Sequence, residues 1–176
     1  MAAHMNPPLF GITGWKNSGK TTLAAALIHE LTQRGYAVSA VKHAHESFDI
    51  DRPGRDSYRL REGGARRVVL SSPQRWAIMH ELRGEPEAGF RELVAQAGPC
   101  DLIVVEGFKN EMFPKLEIRR DGATSREPLA VEVPQVVAVA SDHPGRETES
   151  LPVFHIDDVV GIAAFIIAYL KLAPSP

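Results

Sequence analysis

Gly14, Gly19, Lys20 and Thr21 stand at the spacing that lets a short stretch of backbone hold a polyphosphate. The run Gly14-Trp15-Lys16-Asn17-Ser18-Gly19-Lys20-Thr21 completes the pattern G-x-x-x-x-G-K-[ST], and each position in it has a task. Glycine at both ends allows the chain to turn tightly. Successive N–H groups from Lys16, Asn17, Ser18, Gly19, Lys20, Thr21 and Thr22 can then converge on one anion, and the positive end of a following helix adds to the field. Lys20 is expected to reach the β- and γ-phosphates as a point charge, and the Thr21 hydroxyl to ligate a Mg²⁺ that bridges them.

Other residue clusters could complete such a site. Asp101-Leu102-Ile103-Val104-Val105-Glu106 is an apolar run with an acid at each end. Glu106, at the carboxyl end, is the acid placed to hold the metal or orient an attacking water, and Asp101 lies at the far end. Asp49 and Asp51 would project the same way from an extended segment; they could assist the metal, with Asp51 as a ligand, or act as a base. His43 and His45 share that spacing and suit Zn²⁺, although simple loop hydrogen bonding explains them equally well. With Cys100 as the only thiol, a closed structural zinc site is not expected. Arg52, Arg55, Arg59, Arg61, Arg66 and Arg67 gather positive charge in one segment, suited to a second anion or to plain solvation. Asp142, directly after an apolar run, could accept hydrogen bonds from the N1 and N2 edge of guanine, though the usual Asn-Lys-x-Asp motif is absent.

Such groups need strands that end, and helices that begin, at one place. Leu9, Phe10 and Ile12 form a short apolar run before the loop, and Leu23, Leu27, Ile28 and Leu31 recur behind it at helical spacing until Gly35. Tyr36 to Val41 is β-prone, so the chain opens as strand, loop, helix, strand, which implies a parallel sheet. Arg67 to Ser71 and Arg75 to Leu82 read as a hairpin turned by Ser72-Pro73-Gln74. The next segment is expected to be a helix with Pro86 in its first turn and Phe90, Leu93, Val94 and Ala97 on one face, stopped by Gly98-Pro99. Leu102 to Val105, Leu116 to Arg120, Val136 to Ala140 and Val153 to Ile156 are further strands. A last helix, about Asp158 to Leu172, is apolar almost all round. It is shorter than the roughly 17–25 residues of a membrane span, and so is read as a core or interface helix. The fold class is α/β: a three-layer P-loop NTPase with a mostly parallel sheet, helices on both faces and some antiparallel additions. Residues 6–173 are read as one nucleotide-binding domain, and 1–5 as an expression remnant or disordered start.

Composition narrows the partners. A 44% hydrophobic and 24% charged chain of 176 residues can bury a core, which excludes a disordered protein. A formal net charge of -2 argues against a general nucleic-acid binder. The single cysteine and the lack of a basic-then-apolar leader point to the cytoplasm, with no membrane partner.

Taken together, the loop at Gly14 to Thr22, Val41-Lys42-His43-Ala44-His45, Asp49 to Arg59 with Gly64-Ala65, Val105-Glu106-Gly107-Phe108-Lys109, Pro114-Lys115 and Ser141-Asp142 resemble the MobB family of molybdopterin-guanine dinucleotide biosynthesis adaptors. The resemblance implies a homodimeric GTP-binding protein with weak Mg²⁺-dependent GTPase activity. It would help a partner nucleotidyltransferase, MobA, attach GMP to molybdopterin, giving the guanine dinucleotide form of the molybdenum cofactor. Related dimeric P-loop ATPases place a signature lysine immediately after the first loop glycine; Trp15 stands there in this chain, and Lys16 comes one residue later. The residues alone also admit a P-loop small-molecule kinase using Asp49 or Asp51, and a metal-delivery GTPase using His43 and His45.

Overall fold

The computed structural model of the chain describes residues 7–44, 48–147 and 150–173. In order, the elements are β1 (Leu9–Gly14), α1 (Lys20–Gln33), β2 (Val38–Lys42), α2 (Asp56–Glu62), β3 (Arg67–Ser71), β4 (Trp76–His80), α3 (Phe90–Gln96), β5 (Leu102–Glu106), β6 (Lys115–Arg119), β7 (Val136–Ser141), β8 (Val153–His155) and α4 (Val159–Leu170). Within the stretch read as one domain, two compact units are distinguished: residues 44–89, and the remainder on either side of them.

The larger unit is built on a six-stranded sheet in the order β2-β5-β1-β6-β7-β8, with each neighbouring pair parallel. Parallel strands need both faces covered, and the sequence supplies two apolar sets. Phe10, Ile12, Leu102, Val104, Leu116, Ile118, Ala138 and Ala140 pack with Leu23, Leu27 and Leu31 of α1 and Ile162, Ala163 and Ile166 of α4. On the other face Ile103 and Val105 meet Cys100 and Phe113, with Phe90, Val94 and Ala97 of the α3 segment against them. Alternate residues of β5 thus serve opposite layers, which is why the run Leu102 to Val105 is apolar without a break. At the strand's start the buried Asp101 carboxylate accepts from the Ala37 N–H at 2.8 Å and Asp101 N–H donates to Ala37 carbonyl oxygen at 2.7 Å. This acid pins the entry to β2.

One predicted helix boundary is corrected. Helix α3 begins at Phe90, so Pro86 lies outside it. Gly89, immediately before Phe90, adds backbone freedom that resists carrying the helix back to Pro86. The last helix is close to expectation: the Asp158 side chain caps it by accepting from Gly161 N–H at 2.9 Å, and Lys171 in left-handed geometry ends it. Among the described residues no helix is long and apolar enough to cross a membrane.

In the smaller unit β3 and β4 form the expected antiparallel hairpin, with Arg67 opposite His80 and Ser71 opposite Trp76. The Ser72 hydroxyl and N–H both bond the Arg75 carbonyl to close its turn.

Candidate functional site

At the end of β1 the backbone takes up the curvature that the loop motif requires. Gly14 has φ 151°, and a Cβ there would lie 2.7 Å from Ser18 Oγ and 2.9 Å from the Ile118 carbonyl oxygen. Asn17 and Gly19 are left-handed at φ 65° and 90°, and Ser18 N–H closes a turn on the Trp15 carbonyl at 3.2 Å. Left-handed residues in a tight turn curve the N–H groups into an anion-binding concavity. Gly19 is the residue before α1 and supplies no side-chain cap. First-turn N–H groups have no intrahelical acceptor, so the loop and helix start share one ligand-facing surface.

Three side chains meet there. Lys20 Nζ donates to the Gly14 and Trp15 carbonyls at 3.0 and 2.7 Å. Burial pulls the Lys20 pKa down, the Glu106 charge pulls it back up, and Lys42 lowers it further. Thr21 Oγ1 donates to the Glu106 carboxylate, 2.9 and 3.0 Å from its two oxygens. Glu106 closes β5 next to β1, opposite Ile12, and strand order alone therefore brings it to the loop. A hydroxyl beside a carboxylate is a hard-oxygen pair of the kind Mg²⁺ takes alongside phosphate oxygens. Ser18 Oγ is fully buried beneath the loop and, among the described residues, has no hydrogen-bond partner.

The segment after β6 forms the rim. Thr124 N–H donates to the Lys16 carbonyl at 3.0 Å, and Trp15 Nε1 donates to the Glu127 carbonyl at 2.9 Å. Arg120 Nη1 comes within 3.4 Å of where a Gly19 Cβ would stand. Arg126 ties this rim together: its guanidinium donates to Asp121, Asp142, Ser141 and Glu147. Asp142 accepts from Arg126 with one oxygen and from the Asp121 N–H with the other, at 2.6 Å. Burial would raise the Asp142 pKa, but the hydrogen bonds from Arg126 and the Asp121 N–H outweigh it and hold the carboxyl below its ordinary range. Beneath lies a buried chain of charge in which Arg119 pairs with Glu117 at 3.0 Å and with Glu147 at 2.6 Å. Glu117 also accepts from the Leu129 and Ala130 N–H groups. A carboxylate that stays ionised beside an organised guanidinium, close to the phosphate loop, can read donors on a base.

Comparison with known proteins decides the family. Residues 9–142 match the family model of molybdopterin guanine dinucleotide synthesis protein B, MobB. The chain belongs to the MobB family. Among MobB relatives, the molybdopterin-guanine dinucleotide biosynthesis adapter protein of Escherichia coli K12 is 40% identical over 173 residues, covering 97% of this chain and 98% of that protein. Its counterpart in Haemophilus influenzae is 39% identical over 159 residues, covering 90% and 87%. The solved structure of Bacillus subtilis MobB superposes with a TM-score of 0.71 at 21% identity, covering 96% and 99%, and supports the fold. A P-loop α/β architecture with a mostly parallel sheet is therefore common to this chain and its MobB neighbours.

Of the MobB-family site residues anticipated from sequence, Gly14, Ser18, Gly19, Lys20, Thr21 and Glu106 come together. Lys16, Asn17 and Thr22 are exposed on the same loop and first turn, with Lys16 tied to the rim through its carbonyl. Asp142 lies on the rim. Asp49 and Asp51 belong to the smaller unit, where both face Arg61: Asp49 binds the guanidinium at 2.9 and 3.2 Å, and Asp51 lies 4.0 Å from its Nε while accepting from Ser57 Oγ at 2.9 Å. His43 packs its ring on Phe108, centroids 4.8 Å apart; His45 lies outside the described residues. Sequence reading gave no individual site role to Arg120, Arg126 or Lys42, the last of which stood only within the family stretch Val41 to His45. The first two sit in a segment with no motif, and Lys42 becomes meaningful only once β2 is known to adjoin β5.

Proposed function

We propose that this protein is a cytoplasmic, homodimeric GTP-binding adaptor with slow Mg²⁺-dependent GTPase activity, which assists MobA in attaching GMP to molybdopterin. The observation that carries the reading is the convergence of Lys20, Thr21 and Glu106 on the phosphate loop of a MobB-family chain. In this reading Lys20 exchanges the Gly14 and Trp15 carbonyls for the β- and γ-phosphates, while the loop N–H groups hold the remaining phosphate oxygens. Thr21 and Glu106 would hold Mg²⁺, which supplies neutralisation of the charge developing on the γ-phosphate. Asp142, kept ionised by Arg126, would accept from the guanine N1 and N2 edge; adenine offers no matching donors.

Hydrolysis is expected to be slow because Glu106, the carboxylate that meets the loop, is committed to Thr21. A phosphate site without a dedicated water-orienting group leaves much of the barrier in place. We assign Asp49 and Asp51 to holding Arg61 and α2 in the smaller unit. No observation favours the kinase reading, which needs one of those acids as a base. Metal delivery through His43 and His45 likewise has no supporting observation, His45 lying outside the described residues.

Calorimetric titration of GTP and ATP with Mg²⁺ into wild type and Lys20→Ala tests the proposal. Binding of GTP in preference to ATP, lost in Lys20→Ala, is expected. Equal binding of both nucleotides would remove the base-reading role of Asp142, and binding indifferent to Lys20→Ala would remove the phosphate site itself.

A further inference from the structure

The parallel pairing of β2 with β5 sets Lys42 opposite Glu106 at the carboxyl edge of the sheet. Its ammonium donates to Thr21 Oγ1 at 3.0 Å and lies 3.2 Å from Glu106 Oε2. Thr21 meanwhile gives its own proton to Glu106. The hydroxyl and the carboxylate are the two oxygen ligands assigned above to Mg²⁺, and Lys42 contacts both of them.

We propose that Lys42 is a tethered cation at the metal position, competing with Mg²⁺ for Thr21 and Glu106 and partly replacing it when the metal is scarce. This rests on the reading of the loop as a Mg²⁺-nucleotide site. Two cations at these oxygens compete, because like charges a few ångströms apart repel strongly near a low-dielectric wall. The lysine can leave readily. Its side chain is 53% exposed against 14% for Glu106, and a four-carbon stem carrying a compact charge reorients without disturbing the sheet. An ammonium that remains beside a metal-free nucleotide offsets part of the phosphate charge, so metal and nucleotide are coupled less strongly in the presence of Lys42 than without it.

The quantity to measure is the ratio of nucleotide Kd in EDTA to that in saturating Mg²⁺, read with GTP by calorimetry. Wild type, Lys42→Met and Lys42→Arg are compared, with thermal melts confirming that each is folded. The ratio should rise about fivefold or more in Lys42→Met, the lower end of usual coupling between ligands, and stay near the wild-type ratio in Lys42→Arg, which keeps the charge. An unchanged ratio in Lys42→Met overturns the inference, as does an equal rise in Lys42→Arg, which would make side-chain shape rather than charge the cause. If wild type binds GTP with Lys20 dependence while the ratio is unmoved, this inference alone fails. If wild type binds no nucleotide in either condition, the proposed function fails and carries this inference with it.

Discussion

Lys115 opens β6 fully buried, yet it carries an ammonium whose three protons have three acceptors: the carbonyls of Glu111, Phe113 and Pro134. The nitrogen also sits 4.0 Å above the Phe113 ring. Burial pulls its pKa from 10.5 down to about 8, with the nearby Glu111 charge opposing. In the unfolded chain the amine keeps its ordinary value, so between these two values the unfolded state binds more protons and stability must rise with pH. Integrating a shift of that size from about pH 7.5 to about pH 9.5 gives a gain of about 2 kcal/mol. Lys115→Met removes the titration while keeping a long apolar stem. Urea unfolding of both proteins at the two pH values cancels the other titrating groups in the difference. Wild type should gain about 2 kcal/mol on Lys115→Met over that interval. A difference that stays flat, or moves the other way, would show that the three carbonyls stabilise the ammonium fully and that burial does not set its protonation.

Gly14→Ala should abolish Mg²⁺-GTP binding and destabilise the fold by about 1–3 kcal/mol. The added carbon would approach the Ile118 backbone carbonyl to 2.9 Å, and a strand carbonyl cannot yield; calorimetry and chemical denaturation read the two effects. Arg126→Gln should make the protein less sensitive to acid. Burial raises the Glu147 and Asp142 carboxyls, but Ser141 and Arg119 at the first, with Arg126 at both, bring them below ordinary values. Groups with depressed folded pKa values add stability that is complete only above their unfolded values, from about pH 5 upward, and is lost as pH falls through the folded values. Removing Arg126 shortens that loss, so wild type and variant should converge in stability on acidification, as read by circular dichroism.

The phosphate loop was legible because local sequence dictates it: a strand of Leu9, Phe10 and Ile12, two glycines at fixed spacing, and an amphipathic helix behind them. Glu106 was legible for a related reason, since an acid closing a buried parallel strand has one edge of the sheet to occupy. What the sequence withheld depends on which strands are neighbours. Lys42 and Glu106 are separated by more than sixty residues and face each other only because β5 inserts between β2 and β1. Arg126 reaches Asp142 only because β7 follows β6 in space. The helix start misread at Pro86 has a different origin: the apolar spacing from Phe90 to Ala97 was right, but Gly89 stands between the proline and that apolar face, and its backbone freedom resists carrying the helix back to Pro86. The loop and the acid that closes β5 follow from short-range chemistry, whereas the groups around them are supplied by strand order. Variants at Lys42 and Arg126 are therefore expected to change how strongly nucleotide and metal are coupled and how the base is read, while variants at Lys20 remove binding itself.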